Sequence, residues 1–296
     1  MSGKLKEVKT RIASVKSTQQ ITKAMKLVAA SKLRKATEAI VQMRPYESKL
    51  TEILKNISSA SESGSNEFGK ERPINRALVV VITSDKGLAG SFNANIVKKA
   101  KIAIEERYNK LTNTGNLDVM FMGKKGYDAL KNNAEINHIQ DHQNIFKTLE
   151  FGHVSKVVEG ILEKYANGEY DRVDVAYSKF RNAAVQFFQL DQYLPIAKNE
   201  IEEGESEQKI DYIFEPQGAA LVNELVPKIL KTQFYRFLLD TNASEHGARM
   251  TAMDSATENA NDLLKELKIS YNKERQAAIT TELTEIVSGA AALDNG

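Results

Sequence analysis

The sequence predicts an α/β protein whose two ends are long helices, paired with each other as an antiparallel coiled coil. Three observations predict it. A stretch of 41 residues separates Gly3 from Pro45, and another 41 separate Gly247 from Gly289, with no glycine or proline in either. As unbroken helix each would run about 60 Å, far beyond the mean helix of a globular domain. Between the two rods, short β-branched or aromatic runs alternate with helical patterns, as βαβ units around a mostly parallel sheet require. A chain of 296 residues is long for one hydrophobic core. The expected units are a helix over 1–58, an α/β domain over 74–196 and a helix over 210–293 that pairs with the first.

The N-terminal rod carries apolar residues at Leu5, Val8, Ile12 and Val15, then Ile21, Met25 and Val28, then Leu33, Ala36, Ile40 and Met43. Within each run the steps are 3 and 4, as a helix seam requires, but the joins are steps of 6 and 5. The stripe is therefore expected to change phase twice. A Ser-rich linker over Ser58 to Ser65 and a Glu-rich one over Lys198 to Lys209 are expected to be solvated loops. Strands are expected at Ala77 to Thr83, Leu117 to Met122, Arg172 to Phe180 and Val185 to Leu190, with helices near Asn93 to Tyr108, Tyr127 to Lys131 and Val154 to Tyr165. The C-terminal rod opens with Leu221, Val222, Leu225, Val226, Ile229, Leu230, Phe234, Phe237 and Leu238, rich enough to bury firmly. Pro227 lies in that run, where it either starts the helix or kinks it. From Ala243 to Asp262 the only large apolar residues are Met250 and Met253. This part is expected to use a narrow seam and leave most of its girth exposed.

Composition excludes several chemistries. The chain has no cysteine, so disulfides, thiol nucleophiles and cysteine-ligated zinc are ruled out. No stretch approaches the roughly 20 apolar residues of a membrane-spanning helix. The net charge of +2 conceals +9 in the first 50 residues and −7 in the other 246. A basic segment of this kind points to an acidic partner. Nucleic acid is disfavoured, because the first 45 residues contain no aromatic side chain on which bases could stack.

The strongest local suggestion of an active site is Ser84-Asp85-Lys86-Gly87-Leu88-Ala89-Gly90, directly after the first strand. In an α/β fold that position often receives a phosphate, but the spacing matches neither GxGxxG nor GxxxxGK[ST]. A structural or docking turn is the preferred reading. His138 and His142 have a spacing that could share a metal on a helix, with Asp141 between them, but no third ligand is near and a surface loop is expected. His153 and His246 stand alone, and no catalytic triad can be assembled from spacing.

Three strings carry a family resemblance. IASVKSTQQITKAMKLVAASKLRKA, residues 12–36, resembles the N-terminal signature of the F-type ATP synthase gamma subunit. Residues 245–293, from EHGARM to SGAAAL, resemble its C-terminal signature, and ITSDKGLAGSFN, residues 82–93, resembles the turn after its first strand. Together they cover about 86 residues in family order. The resemblance implies an antiparallel coiled coil with a Rossmann-like domain that lacks nucleotide chemistry. It implies a rotor stalk that turns inside the ring of alpha and beta subunits and is carried by the membrane c-ring with the epsilon subunit. Hydrogen ion transport is thereby coupled to ATP synthesis or hydrolysis, while this subunit itself catalyses nothing and needs no cofactor or metal.

The same resemblance places Met25 at the family's bearing position and Arg249 and Gln276 where the C-terminal helix meets the catalytic ring. The outer face of the shaft is expected to be small and polar, so that no one angle is trapped. Ala89 and Ser91 stand where the family often has Cys and Gly, and Gly247 where it often has Ala. A glycine in an exposed helix costs about 1 kcal/mol relative to alanine, so Gly247 is expected to be a softer point. The absence of cysteine argues against a thiol-regulated plastid member. The N-terminal signature is under way by Ile12, which leaves little for a transit peptide. A bacterial member, peripheral on the cytoplasmic face of the inner membrane, is the expectation.

Overall fold

The computed structural model describes residues 3–60, 67–196 and 218–294. The linker expected over 61–65, the one expected over Lys198 to Lys209 and the expected start of the last helix at 210–217 lie outside these residues. Helix α1 spans Gly3–Ala60 and carries Pro45 within it. Helix α6 spans Gly218–Asp294, so Pro227 lies inside it and does not begin it. The chain divides into two compact units, one of Met1–Ala30 with Arg249–Gly296 and one of Ser31–Ala248.

In the first unit α1 and α6 pair antiparallel. Gln19 meets Asn261, the Thr22 hydroxyl lies 2.8 Å from that of Thr257, and Lys26 meets Asp254. Rising numbers on one helix match falling numbers on the other. The predicted phase changes do not occur. Leu5, Val8, Ile12, Val15, Gln19, Thr22, Lys26 and Ala29 of α1 form a continuous line withdrawn from solvent, joined in steps of 3 and 4, with Met25 and Ala30 half-buried at its flank. Polar side chains fill seam positions where an apolar stripe looks broken. Ile21 and Val28, read from the sequence as seam, are 57% and 58% exposed. On α6 the matching seam is Met253, Thr257, Ala260, Leu264, Leu267, Tyr271, Glu274 and Ala278.

The second unit is built on a five-stranded sheet of order β3-β2-β1-β4-β5. Strands β1 (Ala77–Ile82), β2 (Leu117–Met122) and β4 (Arg172–Phe180) are mutually parallel neighbours, with Ala77 beside both Leu117 and Arg172. Both faces of β1 and β2 are covered, which is why they read as unbroken apolar runs. Strand β5 (Gln186–Leu194) returns antiparallel along β4 and is longer than predicted. The short strand β3 (Asn137–Ile139) adds parallel to β2. The NHIQDHQN segment is therefore an edge strand followed by a turn, not a surface loop.

Helices α2 (Phe92–Glu106) and α4 (Lys124–Leu130) follow β1 and β2, with the single turn α3 (Asn109–Thr112) between them in sequence. Helix α5 is Phe151–Ala166. One face of the sheet, with Ala77, Val79 and Val81, packs on α2 through Phe92, Ile96 and Ala100. The other face, with Leu78, Val80 and Ile82, packs on α5 and on Val226, Leu230, Phe234, Phe237 and Leu238 of α6. The apolar opening of α6 thus belongs to the core of this unit. Farther along, Ala36 and Ile40 of α1 pack with Leu239 and Ala243 of α6.

Two expectations about α6 are corrected here. Ala243, Ser244, Glu245 and His246 are all buried, so the first part of this polar stretch is held in the α/β unit, while from Arg249 onward it follows the narrow seam as expected. Gly247 is buried too, and a Cβ there would lie 3.1 Å from the Cα and O of Ala183. It is a close-approach glycine, not a soft point in an exposed helix.

Candidate functional site

The turn after β1 is internally satisfied. The backbone N–H of Ser84 donates to Asn93 Oδ1 at 3.0 Å, and the Ser84 hydroxyl lies 2.7 Å from Lys86 O and 2.8 Å from Asn93 Nδ2. Thr83 Oγ1 accepts from the Gly126 N–H at 2.8 Å, tying this turn to α4. The Ser84 amide that a phosphate cradle would present is committed to a side chain. Leu88 sits at φ +62° and is 65% exposed, a strained apolar side chain at the rim.

An open α/β sheet binds ligands in the crevice where strand order reverses, here between the C-terminal ends of β1 and β4. α6 occupies the β4 side of that place. The Ser178 N–H donates to Thr241 Oγ1 at 3.3 Å, the Ser244 hydroxyl to Ser178 O at 3.4 Å, and Gly247 abuts Ala183 in the turn after β4. Ala248 packs against the cluster that contains Ala89 and Phe92. Both the spacing of the motif and the filling of the crevice count against a nucleotide-dependent enzyme.

The histidines do not converge. His138 stacks on Phe121 with ring centroids 5.8 Å apart, and its Nε2 lies 3.2 Å from Leu130 O. His142 follows in the turn, where burial lowers its pKa against the opposing pull of Asp141. Among the described residues no group of three or more His, Cys, Asp or Glu could hold a metal.

At the other end of the strands, buried carboxylates are fully engaged. Asp118 accepts from Arg76 at 2.9 Å, Tyr170 at 2.7 Å and Asn137 at 2.8 Å. Asp174 accepts from Tyr108 at 2.8 Å, Arg172 at 3.1 Å and Arg107 at 3.3 Å. Each carboxylate ties its strand to neighbouring elements, which is a structural use of charge.

The surfaces suited to a partner lie on the paired helices. Met25 is half-buried beside the Lys26–Asp254 pair, Arg249 is half-buried, and Gln276 is exposed. They do not form one cluster, since Gln276 lies 22 residues along α6 from Asp254, about 33 Å. Nor is the outer face small and polar throughout: Ile21, Leu27 and Val28 are 57%, 66% and 58% exposed. At the end of α6 every residue from 279 to 290 is exposed, including the stripe Ile279, Leu283, Ile286 and Val287. Their spacing of 4, 3 and 1 puts them on one helical face. The sequence signal for the outward trio was available: continuing the steps of 3 and 4 through Gln19, Thr22 and Lys26 puts Ile21, Leu27 and Val28 outside the seam. Among the described residues no helix is long and apolar enough to cross a membrane.

Comparison with known proteins agrees with this architecture. The family described as ATP synthase matches residues 4–293. An ATP synthase gamma chain of Cytophaga hutchinsonii is 51% identical over 293 residues, covering 98% of this chain and 99% of that one. That of Flavobacterium psychrophilum is 48% identical over 290 residues, covering 98% of each. Among solved structures, a chain of the Euglena gracilis mitochondrial ATP synthase in rotational state 3 matches with a TM-score of 0.71 at 21% identity, over 99% of this chain and 95% of that one. That likeness concerns the fold, while the family follows from the sequence matches. The chain belongs to the family of ATP synthase gamma chains.

Proposed function

We propose that this chain is the central rotor stalk of an F-type ATP synthase, a non-catalytic subunit that couples hydrogen ion transport to ATP synthesis and hydrolysis by rotation. The observation that carries the reading is the pair of long antiparallel helices with outward apolar residues, on a chain about half identical to ATP synthase gamma chains along nearly its whole length. Such a rod suits the bore of the alpha and beta catalytic ring, and the α/β unit suits the foot, carried by the c-ring and the epsilon subunit. The ring holds the bond chemistry, and the rotor contributes asymmetry. Excess positive charge on α1 offers re-formable contacts to acidic loops of the ring at successive angles. Membrane association is then indirect, peripheral on the cytoplasmic face of a bacterial inner membrane.

Within this reading Met25, Arg249 and Gln276 are contact residues for the ring, a role that rests on their match to the family signatures. The half-buried position of Met25 beside Lys26 suits a bearing point. The test is a strain lacking the chain: proton-driven ATP synthesis in membrane vesicles should vanish and return when the chain is supplied with the other subunits. Unimpaired coupling without it would sink the reading. Met25→Lys is expected to lower proton-driven synthesis severalfold while moving the thermal midpoint by only a few degrees, because the added charge grips the ring at one angle. Equal synthesis at equal gradient would count against that role.

A further inference from the structure

We propose that the seat of Gly247 on Ala183, with Thr241 and Ser244 on Ser178, is the anchor that fixes the axial rotation of α6 on the sheet, making these positioning residues for the transfer of torque. The proposal rests on the rotor reading. Upstream, α6 accepts a hydrogen bond at Leu230 O from the Tyr193 hydroxyl of β5 at 2.9 Å and packs through Val226, Leu230, Phe234, Phe237 and Leu238, whose apolar contacts are non-directional. Such contacts resist removal of the helix better than they resist its rolling. Directional bonds to the backbone of β4 are made at Thr241, which accepts from the Ser178 N–H at 3.3 Å, and at Ser244, which donates to Ser178 O at 3.4 Å. Both partners are backbone atoms of β4, so the bonds tie α6 to the sheet itself and not to a pliable side chain.

Gly247 completes the collar one turn on. The absence of a Cβ lets the helix backbone meet the turn after β4, where a methyl would lie 3.1 Å from both Ala183 Cα and Ala183 O. That turn is stiff. Asn182 Oδ1 accepts from the N–H groups of Ala184 at 3.0 Å and Val185 at 2.8 Å, and Gln186 Nε2 donates to Ala183 O at 2.8 Å. The neighbour of Gly247 is therefore backbone pinned from three directions. A methyl there can be accommodated by displacing the turn a few tenths of an ångström or by rolling α6, and at the Cα radius of a helix that displacement is a roll on the order of 10°. The compact unit ends at Ala248, one residue beyond this collar.

The test uses the assembled catalytic complex with the ring immobilised. The chain has no cysteine, so a Lys101→Cys variant on the exposed face of α2 gives a unique attachment for a bead. The readout is the angular variance of the bead at a stalled dwell, which reports torsional stiffness. Gly247→Ala and the double variant Thr241→Val with Ser244→Ala should each raise that variance about twofold or more, with ATP hydrolysis kept within about twofold. Unchanged variance in an assembled variant overturns the anchor. If Gly247→Ala does not assemble, the double variant decides, since it adds no bulk and removes both bonds to Ser178, with the bond from the Thr241 hydroxyl to Phe237 O within α6 as its one further loss. Failure of the unmutated chain to rotate would instead overturn the rotor reading.

Discussion

Gly123→Ala should abolish cooperative folding of the α/β unit, while Gly115→Ala should be mild, although both glycines have positive φ. Gly123 sits at φ +98°, ψ +141°, a region open essentially to glycine. A Cβ there would lie 2.0 Å from Thr83 O and 2.6 Å from Thr83 C, both backbone atoms at the end of β1. Relief requires the ends of β1 and β2 to part by more than 1 Å. That motion breaks the 2.7 Å bond from the Thr83 N–H to Met122 O and strains the 2.8 Å bond from the Gly126 N–H to Thr83 Oγ1. Backbone strain of about 1–3 kcal/mol and two compromised buried bonds of about 1–2 kcal/mol each give a loss of about 3–7 kcal/mol. That is most of the stability of an ordinary domain. Gly115 at φ +69° has nothing within 4 Å of a Cβ, so only the left-handed penalty of about 1 kcal/mol applies. Urea unfolding followed by tyrosine fluorescence, in a chain with 10 Tyr and no Trp, separates them. A Gly123→Ala midpoint within 1 M urea of Gly115→Ala would refute the steric reasoning.

Alkaline pH should unfold the α/β unit through its buried tyrosines. Burial, reinforced by Asp174 for Tyr108 and by Asp191 for Tyr177, holds these hydroxyls far above the ordinary value of 10.0, and burial does the same for Tyr193. The folded state thus keeps protons that the unfolded chain releases near pH 10. Stability is intact below that pH and falls above it by about 1.4 kcal/mol per pH unit per tyrosine, and Tyr193→Phe should flatten the fall of the melting temperature between pH 10 and 11.5. Lys26→Ala or Asp254→Ala should cost under about 1 kcal/mol, because the pair is 38% and 47% exposed, and the cost should shrink in 1 M salt. A loss above 2 kcal/mol that ignores salt would show that the pair does more than an exposed ion pair does.

The readily legible parts of the fold are those where one local pattern decides the outcome. Strands β1 and β2 are buried on both faces and read as unbroken apolar runs, and the two rods are defined by what they lack. Strand β3 was not legible, because Asn137, His138 and Ile139 show neither alternation nor an apolar run and are recruited by β2. Strand β5 extends to Leu194 through Asp191 and Gln192, polar residues on an edge strand whose burial depends on what covers them. The burial of Gly247 was invisible for the same reason: it is fixed by Ala183, 64 positions away. The proposed contact residues Met25, Arg249 and Gln276 rest on motif match alone, and the exposed trio near Met25 is legible only when the seam is phased through its polar positions.

That trio exposes a conflict which the monomer's stability does not explain. Around Thr22 the coiled coil is inside out: Gln19, Thr22 and Lys26 face Asn261, Thr257 and Asp254, while Ile21, Leu27 and Val28 point to solvent. A sequence selected only for helix pairing would exchange these sets, since each large apolar side chain moved from water into a seam is worth about 1.5–3 kcal/mol and an exposed polar pair under about 1. Three such exchanges forgo several kcal/mol of pairing energy in one stretch of α1. The polar seam still aligns the helices, as single polar residues do in other coiled coils. The outward trio contributes nothing to this unit's own core and is available to a surrounding surface. Sequences that depart from local optimality in this way do so at functional positions, and here the outward trio falls within four residues on either side of Met25.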